Sequence, residues 1–241
     1  MKAICLITFK PHKIWCDFLD QFNNYKIFVI VDNNNANLTN FKIYKNITFI
    51  KINNDFCELN GYTNANFTLK KNISGWDKAL YYFSIINNQY DFIWFMEDDV
   101  FIYNEKTLTN IDEKYTNEDL LSKYYGENRD GNKDTWLWNK INIQYSPPYY
   151  SGMVCIVRFS KNMLKCIHNY ATTHKTLFFL EAMFPTIAIK NNLHYSQPSE
   201  FNNIIYRHVF TKEDIHVNNL YHPIKNMKQQ FIFRRMLALK N

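Results

Sequence analysis

Residues 92–99 read Phe-Ile-Trp-Phe-Met-Glu-Asp-Asp, an apolar run that leads directly into three consecutive carboxylates. An apolar run without alternation is typical of a strand that is buried on both faces of a sheet. Three adjacent carboxylates repel one another, so we expect a cation beside them, most simply a divalent metal. Ligands of α/β proteins bind where the strands end, which is where this sequence puts the acids. The alternative is a solvated acidic turn.

The segments on either side of this stretch alternate between strand-like and helix-like patterns. Strand-like segments occupy residues 3–9, 26–31, 47–52, 92–96 and 149–159. Helix-like spacing occupies residues 13–22, the segment that Ser74 begins as an N-cap, residues 177–188 despite Pro185, and the segment after residue 225. The alternation predicts an α/β fold with a mostly parallel central sheet flanked by helices. Residues 104–148 are polar and rich in turn residues, and we expect an insertion or long loop there.

Composition narrows the class of protein. The 241 residues are 46% hydrophobic, which is enough for a sizeable core in a single domain. Neither GxGxxG nor GxxxxGK[ST] occurs, which weakens a Rossmann dehydrogenase or a P-loop interpretation. The net charge of +6 suits an anionic ligand such as a nucleotide. Because the basic residues are scattered rather than striped, no nucleic-acid partner is predicted.

The cysteines indicate the cellular compartment of the protein, and the amino-acid bias indicates the kind of genome that encodes it. Five cysteines without a CxxC pair argue against structural zinc and a disulfide framework, and they predict a reducing, cytoplasmic compartment. We expect neither a signal peptide nor a membrane span. The excess of Asn, Lys, Ile, Tyr and Phe is typical of AT-rich genomes, which occur in some protists and in giant viruses. A viral protein, in a host cytoplasm or a virion, is therefore one expectation.

Three strand ends together resemble the GT-A fold glycosyltransferases, whose metal site is a DxD motif that is also written EDD or xDD. They are Thr8-Phe9, Val31-Asp32 and Glu97-Asp98-Asp99. The resemblance implies a single GT-A domain over residues 1–241, with a nucleotide-sugar-binding half at 1–103 and an acceptor-binding half with a closing loop and helix at 104–241. It further implies a nucleotide-sugar donor, usually a UDP-sugar, with Mn²⁺ or Mg²⁺ on its diphosphate. The acceptor would be a glycan or protein, and the enzyme a hexosyl- or N-acetylhexosaminyl-transferase.

The resemblance also implies roles for residues at the strand ends. Asp99 would bind the metal directly, Asp98 would lie near the ribose or the metal's water shell, and Glu97 has the least defined role and is expected to be mainly structural. Asp32 would contact the base or ribose in a pocket that Thr8 and Phe9 also line. The alternative for Asp32 is an Asx-turn in an Asn-rich loop.

Two further carboxylates stand in informative surroundings. Asp77 falls in the first turn of a predicted helix, where a carboxylate suits the helix dipole, while the resemblance implies contact with the hydroxyls of the donor sugar. Glu181 is the only charged residue in the apolar stretch 177–184. An apolar setting raises the pKa of a carboxyl group toward neutrality, which suits a general base. By resemblance Glu181 would take the acceptor's proton in an inverting transfer; the alternative is a helix glutamate that reaches solvent or an ion pair.

His222 and Lys225 lie in a short loop, His-Pro-Ile-Lys, before the last helix. The resemblance implies that His222 is the third protein ligand of the metal and that Lys225 binds the diphosphate. The alternative is an ordinary surface loop.

Three other functions compete with sugar transfer. A nucleotidyltransferase of related fold would also place carboxylates and metal beside a nucleotide, although a Gly-rich loop after the first strand is missing. A metal-dependent nuclease would require a second acidic cluster, and none stands out in the sequence. A catalytically inactive GT-A domain that binds a glycan or a partner is the non-enzymatic alternative.

Overall fold

The computed structural model describes residues 1–240, and Asn241, the last residue of the predicted domain, lies outside this range. The main sheet of these residues has seven strands in the order β3-β2-β1-β4-β6-β5-β7. The strands are β1 Lys2–Thr8, β2 Lys26–Val31, β3 Ile47–Ile50, β4 Phe92–Glu97, β5 Leu120–Asn128, β6 Tyr149–Ser160 and β7 Tyr195–Ser196. Strand β6 alone runs antiparallel to its neighbours, so the predicted α/β class with a mostly parallel sheet is confirmed. A small sheet pairs β8 Asn203–Ile204 with β9 Tyr221–His222.

Seven helices accompany the two sheets in the described part of the chain. They are α1 Lys13–Leu19, α2 Asn54–Leu59, α3 Gly75–Tyr81, α4 Glu105–Lys114, α5 Lys161–His174, α6 Leu180–Lys190 and α7 Met227–Lys240. Helix α3 begins at the predicted N-cap, Ser74, and continues as a π-helical turn over Tyr82–Ile86. Among residues 1–240, no helix combines the length and the apolar character needed to cross a membrane.

The main sheet has a hydrophobic core on each face, and the apolar residues of β4 contribute alternately to the two cores. Ile93 and Phe95 belong to the core beneath α3, α5 and α6. Trp94 and Met96 belong to the opposite core, which α1 and α4 cover. All four side chains are fully buried, which is why the sequence shows no alternation there. A third, smaller core lies between α7 and the segment around β9.

The sequence predicted an insertion or long loop over residues 104–148, but the structure has a helix and a strand there. Asn104 caps α4 by accepting a hydrogen bond from the Thr107 backbone, and Leu108 and Ile111 anchor the helix on the sheet. Strand β5 then enters the main sheet between β6 and β7. Its register is shifted twice against β6, and its middle is exposed, so a period of two is not visible in the sequence. Tertiary pairing therefore makes a strand of a segment whose pattern is polar.

Helix α6 begins at Leu180, three residues later than predicted. The preceding segment is held by backbone hydrogen bonds, from Leu177 to Thr63 and from Leu180 to Ala65. Pro185 lies inside the helix and has no N–H, so the carbonyl of Glu181 lacks the donor that normally follows it by four residues. This places Glu181 in the first turn of a helix whose start is fixed by residues outside it.

Candidate functional site

Three parallel strands end at one edge of the main sheet and define a cleft. In the register of the sheet, Thr8 of β1 is opposite Val31 of β2, and Ile7 is opposite Glu97 of β4. Asp32 follows β2 directly, so its side chain and the acids after β4 reach the same edge. The residues that follow these strands therefore lie close together at this edge.

The turn that carries the acids is held by hydrogen bonds to its backbone. The carbonyl of Asp98 accepts from Trp15 Nε1 at 2.7 Å and from Gln230 Nε2 at 3.0 Å. The carbonyl of Asp99 accepts from the Ile224 amide at 2.7 Å. Because two of these three donors belong to the segment around α7, that segment and the acidic turn hold each other in place.

The same segment brings His222 to the acids. The backbones of Phe101 and Tyr221 exchange hydrogen bonds of 2.8 and 3.1 Å, which sets β9 beside the residues that follow β4. His222 Nε2 then lies 3.4 Å from Asp99 Oδ1. His222 Nδ1 lies 2.8 Å from the carbonyl of Ile205 and donates to it, which leaves the lone pair of Nε2 directed at the acids.

Glu97, Asp99 and His222 form a group that fits a divalent cation. One ligand atom from each residue lies within 4.8 Å of the others, which groups two carboxylates and an imidazole, all common metal ligands, around one point. Asp99 Oδ1 is buried and has no hydrogen-bond donor among the described residues. A buried carboxylate oxygen without a donor is costly, and a cation would remove that cost. We call these three residues the ligand group.

Electrostatics within the ligand group also favours a cation. Burial, followed by the charge of Asp99, raises the pKa of Glu97 to about 7, although the indole of Trp76 donates to Glu97 at 2.7 Å. Burial lowers the pKa of His222, but the neighbouring Asp99 carboxylate outweighs it and raises the pKa above its ordinary value. A metal that binds the ligand group would therefore compete with protons for both side chains.

The geometry revises the roles of Glu97 and Asp98. We expected Glu97 to be mainly structural, yet it belongs to the ligand group with Asp99. Asp98 points the other way, accepts a hydrogen bond from the hydroxyl of Thr8, and has a pKa raised chiefly by burial. Asp98 and Asp99 lie in a turn after the end of β4, so the strand's period of two does not by itself decide which acids face the same side.

Two adjoining cavities make up the cleft, and both contain the carboxylates of Glu97 and Asp99. The first, here called the β1–β2 cavity, has a volume of about 510 Å³ and is lined by Thr8, Phe9, Asp32, Lys71, Trp76 and Asp98 among others. The second, the Glu181 cavity, has about 320 Å³ and is lined by Cys155, Glu181, Tyr206, His222 and Lys225 among others. The structure thus brings together all the sequence-predicted site residues except Asp77.

Asp32 is an ion-paired carboxylate rather than a free one. It forms salt bridges with Lys71 and, at 3.2 Å, with the fully buried Lys78. Lys78 also donates to the Asp32 carbonyl at 2.8 Å and to Asn34 at 3.0 Å. Sequence reasoning missed both lysines. Lys78 lies near the start of a predicted helix, where a lysine is usually exposed, so nothing in the sequence marks it as buried. Lys71 lies in a segment whose pattern predicts neither a helix nor a strand.

The Glu181 carboxyl faces the ligand group across the second cavity. It belongs to the first turn of α6, on the side of the sheet where α6 packs against β6. Burial and, after it, the charge of Glu97 raise the pKa of Glu181 to about 7, while His222 lowers it. A carboxyl group with this pKa exchanges a proton readily near neutral pH.

Asp77 lies outside the cleft and caps a helix instead. Its side chain is 0% exposed and accepts hydrogen bonds from the Ala65 amide at 2.9 Å and from the amide and hydroxyl of Ser74 at 2.8 and 2.6 Å. Contact with sugar hydroxyls would require Asp77 to give up these bonds. The capping alternative therefore describes its geometry.

We expect an Asp77→Ala substitution to lower the free energy of unfolding by about 2–4 kcal/mol, because it removes a cap and leaves buried donors unpaired. Urea denaturation of the two proteins measures the difference. The Asp130→Ala variant, which changes an exposed aspartate, is the control and should unfold like the wild type. An equally stable Asp77→Ala protein would contradict the capping role.

The pKa of Asp77 gives this role a pH dependence. Burial raises it from 3.8 to about 6 in the folded protein, so between these values the folded state holds a proton that the unfolded chain has lost. The contribution of Asp77 to stability therefore falls as the pH rises through this window and is level above it. The difference in unfolding free energy between wild type and Asp77→Asn should change over the same window, and a constant difference would contradict the assignment.

Comparison with known proteins adds information on the fold. No family model matches the sequence, and no curated protein matches it. Among solved structures, the galactosyltransferase LgtC in complex with donor and acceptor sugar analogs is 11% identical with a TM-score of 0.50, covering 98% of this chain and 96% of that chain. A 4-diphosphocytidyl-2C-methyl-D-erythritol synthase from Anaerococcus prevotii is 7% identical with a TM-score of 0.49, covering 98% and 95%. The likeness to LgtC, a GT-A glycosyltransferase, shows the fold alone and agrees with the predicted fold class.

Proposed function

We propose that this protein is a metal-dependent glycosyltransferase that moves a sugar from a nucleotide-sugar, preferably a UDP-sugar, to a hydroxyl group of a glycan or protein acceptor. One observation carries the proposal: the ligand group and Glu181 share one cleft at the carboxyl ends of the parallel strands. In sugar transfer from a nucleotide-sugar, a cation can neutralise the leaving diphosphate. A carboxyl group with a pKa near 7 can take the proton of the acceptor hydroxyl.

In this proposal the β1–β2 cavity takes the nucleotide. Thr8 and Phe9 line it at the end of β1, and Asp32 reaches it from the end of β2. Lys71 pairs with Asp32 at the wall of the same cavity, so a donor that hydrogen-bonds Asp32 would meet a positive charge beside it. Residues 1–103 would thus form the donor half, and residues 104–241 the acceptor half with its closing segment.

Glu97, Asp99 and His222 would hold the metal. When bound, the metal supplies positive charge that stabilises the negative charge developing on the leaving diphosphate. The two carboxylates suit Mn²⁺ and Mg²⁺, and the imidazole nitrogen makes Mn²⁺ the better match. Lys225, at the rim of the Glu181 cavity, would add a second positive charge for the diphosphate.

Glu181 would act as the general base. In its ionised form it takes the proton from the acceptor hydroxyl as the oxygen attacks the anomeric carbon and the bond to the diphosphate breaks. Attack from the side opposite the leaving group inverts the configuration. Glu181 comes from α6, whereas the ligand group comes from the end of β4, the turn after it and β9, so the base and the metal would reach the cavity from different elements.

A donor screen tests the function. The protein is incubated with a panel of nucleotide-sugars and Mn²⁺, and free nucleotide is measured with and without a chelator. We expect chelator-sensitive release of a nucleoside diphosphate from one donor, with UDP-sugars foremost. Release of pyrophosphate from a nucleoside triphosphate and a sugar phosphate would instead identify a nucleotidyltransferase. Glycan binding without any release would identify an inactive binding domain.

A further inference from the structure

Helix α7 uses one face to attach to the rest of the protein. Phe233 and Leu237 are buried in the small core, and Gln230 is fully buried against the acidic turn. The guanidinium of Arg234 lies 3.8 Å from the ring centre of Phe18 and donates to the carbonyl of Ile102. This face explains how the helix is held.

The opposite face of α7 is apolar as well, yet it is exposed. Phe231 is 46% exposed, Ile232 60% and Leu239 87%. These positions, with Lys228 and Arg235, recur at helical spacing and lie on one side of the helix. The apolar residues and Arg235 line an open groove of about 440 Å³ together with Met236. We call this side the outer face of α7.

The charges on the outer face have one sign. Lys228 and Arg235 are both exposed and basic, and no Asp or Glu follows Asp214 in the sequence. The whole chain carries a net charge of +6. If a second copy packed its outer face on the first, like charges would meet across the contact, which is unfavourable. An anionic surface complements these charges.

We propose that the outer face of α7 rests on the surface of an anionic lipid membrane. Phe231, Ile232 and Leu239 would enter the boundary between head groups and acyl chains, and Lys228 and Arg235 would contact lipid phosphates. Apolar side chains flanked by basic ones are the pattern by which helices lie in a membrane interface without crossing it. The proposal does not depend on the sugar-transfer function, since it uses no residue of the cleft.

Co-sedimentation with vesicles tests the proposal in the full-length protein. We expect binding to phosphatidylcholine vesicles that contain phosphatidylserine, and much weaker binding to phosphatidylcholine alone. Added salt should release the protein because it screens the attraction between exposed charges. Replacing Lys228 and Arg235 by glutamine should weaken binding by about tenfold or more, since each basic residue near an anionic surface contributes about fivefold.

A variant with Phe231→Ser, Ile232→Ser and Leu239→Ser tests the apolar contribution. A matched variant with Ile43→Ser, Leu59→Ser and Leu69→Ser changes three exposed apolar residues elsewhere. Both should unfold cooperatively, and only the first should lose at least tenfold in vesicle binding. Equal binding by the two variants, or binding that does not depend on phosphatidylserine, would overturn the proposal. So would a wild-type dimer that the first variant converts to a monomer, because a second copy would then be the occupant.

Discussion

An Asp99→Asn substitution is expected to lower nucleotide release from the sugar donor by about a thousandfold or more, which corresponds to about 4 kcal/mol of transition-state stabilisation. The change keeps the size of the side chain but removes one of the two carboxylates of the ligand group. It also removes the acid whose buried oxygen has no donor, so the folded protein loses no internal hydrogen bond from that atom. The rate constant for donor turnover at saturating Mn²⁺ measures the effect.

A binding measurement separates loss of the metal from loss of the fold. Wild-type protein should be stabilised against heat by UDP only when Mn²⁺ is present, and by about 3 kcal/mol when UDP stands at a hundred times its dissociation constant. In Asp99→Asn this Mn²⁺-dependent shift should disappear, while the melting temperature without ligands stays near that of the wild type. The control is Asp130→Asn, which changes an exposed carboxylate outside the cleft and should leave both measurements unaltered. Unchanged Mn²⁺ dependence of UDP binding in Asp99→Asn would show that the metal assignment is wrong.

A Glu181→Gln substitution should lower the turnover number by about a hundredfold to ten-thousandfold, the usual contribution of a general base. Glutamine fills the same space in the first turn of α6 but cannot take a proton. Because Glu181 is not in the ligand group, the Mn²⁺-dependent stabilisation by UDP should persist at its wild-type size. This combination of lost turnover and retained donor binding distinguishes a base from a residue that holds the metal.

The product of the reaction provides the second readout for Glu181. An inverting transfer gives a glycosidic bond whose configuration is opposite to that of the donor, which proton NMR of the product reports. Glu58→Gln, a change at an exposed position of α2, is the matched control and should keep full activity. Near-wild-type turnover in Glu181→Gln, or a product that retains the donor's configuration, would exclude Glu181 as the base of a single displacement.

The pattern of apolar and polar residues predicted secondary structure correctly where burial of neighbouring residues or a local cap determines it. The run 92–96 predicted a strand that is buried on both faces, and residues 93–96 divide between the two cores as expected. Ser74 and Asp77 predicted a helix start, and they form a capping box there. The weak point was β5, whose exposed, twice-shifted pairing leaves no period of two in the sequence. A segment can join a sheet through backbone hydrogen bonds alone, and the pattern of its side chains then gives little sign that it is a strand.

The sequence by itself determined that acids would follow a buried strand at the ligand-binding edge of an α/β sheet. Only the tertiary structure decided which acids act together: Glu97 and Asp99 turn toward His222, and Asp98 turns toward Thr8. The reason is that His222 comes from a segment far along the chain, held by the Phe101–Tyr221 pair and by Ile224 on the Asp99 carbonyl. Hydrophobic periodicity follows from neighbours along the chain, whereas a ligand group depends on how distant segments close on one another.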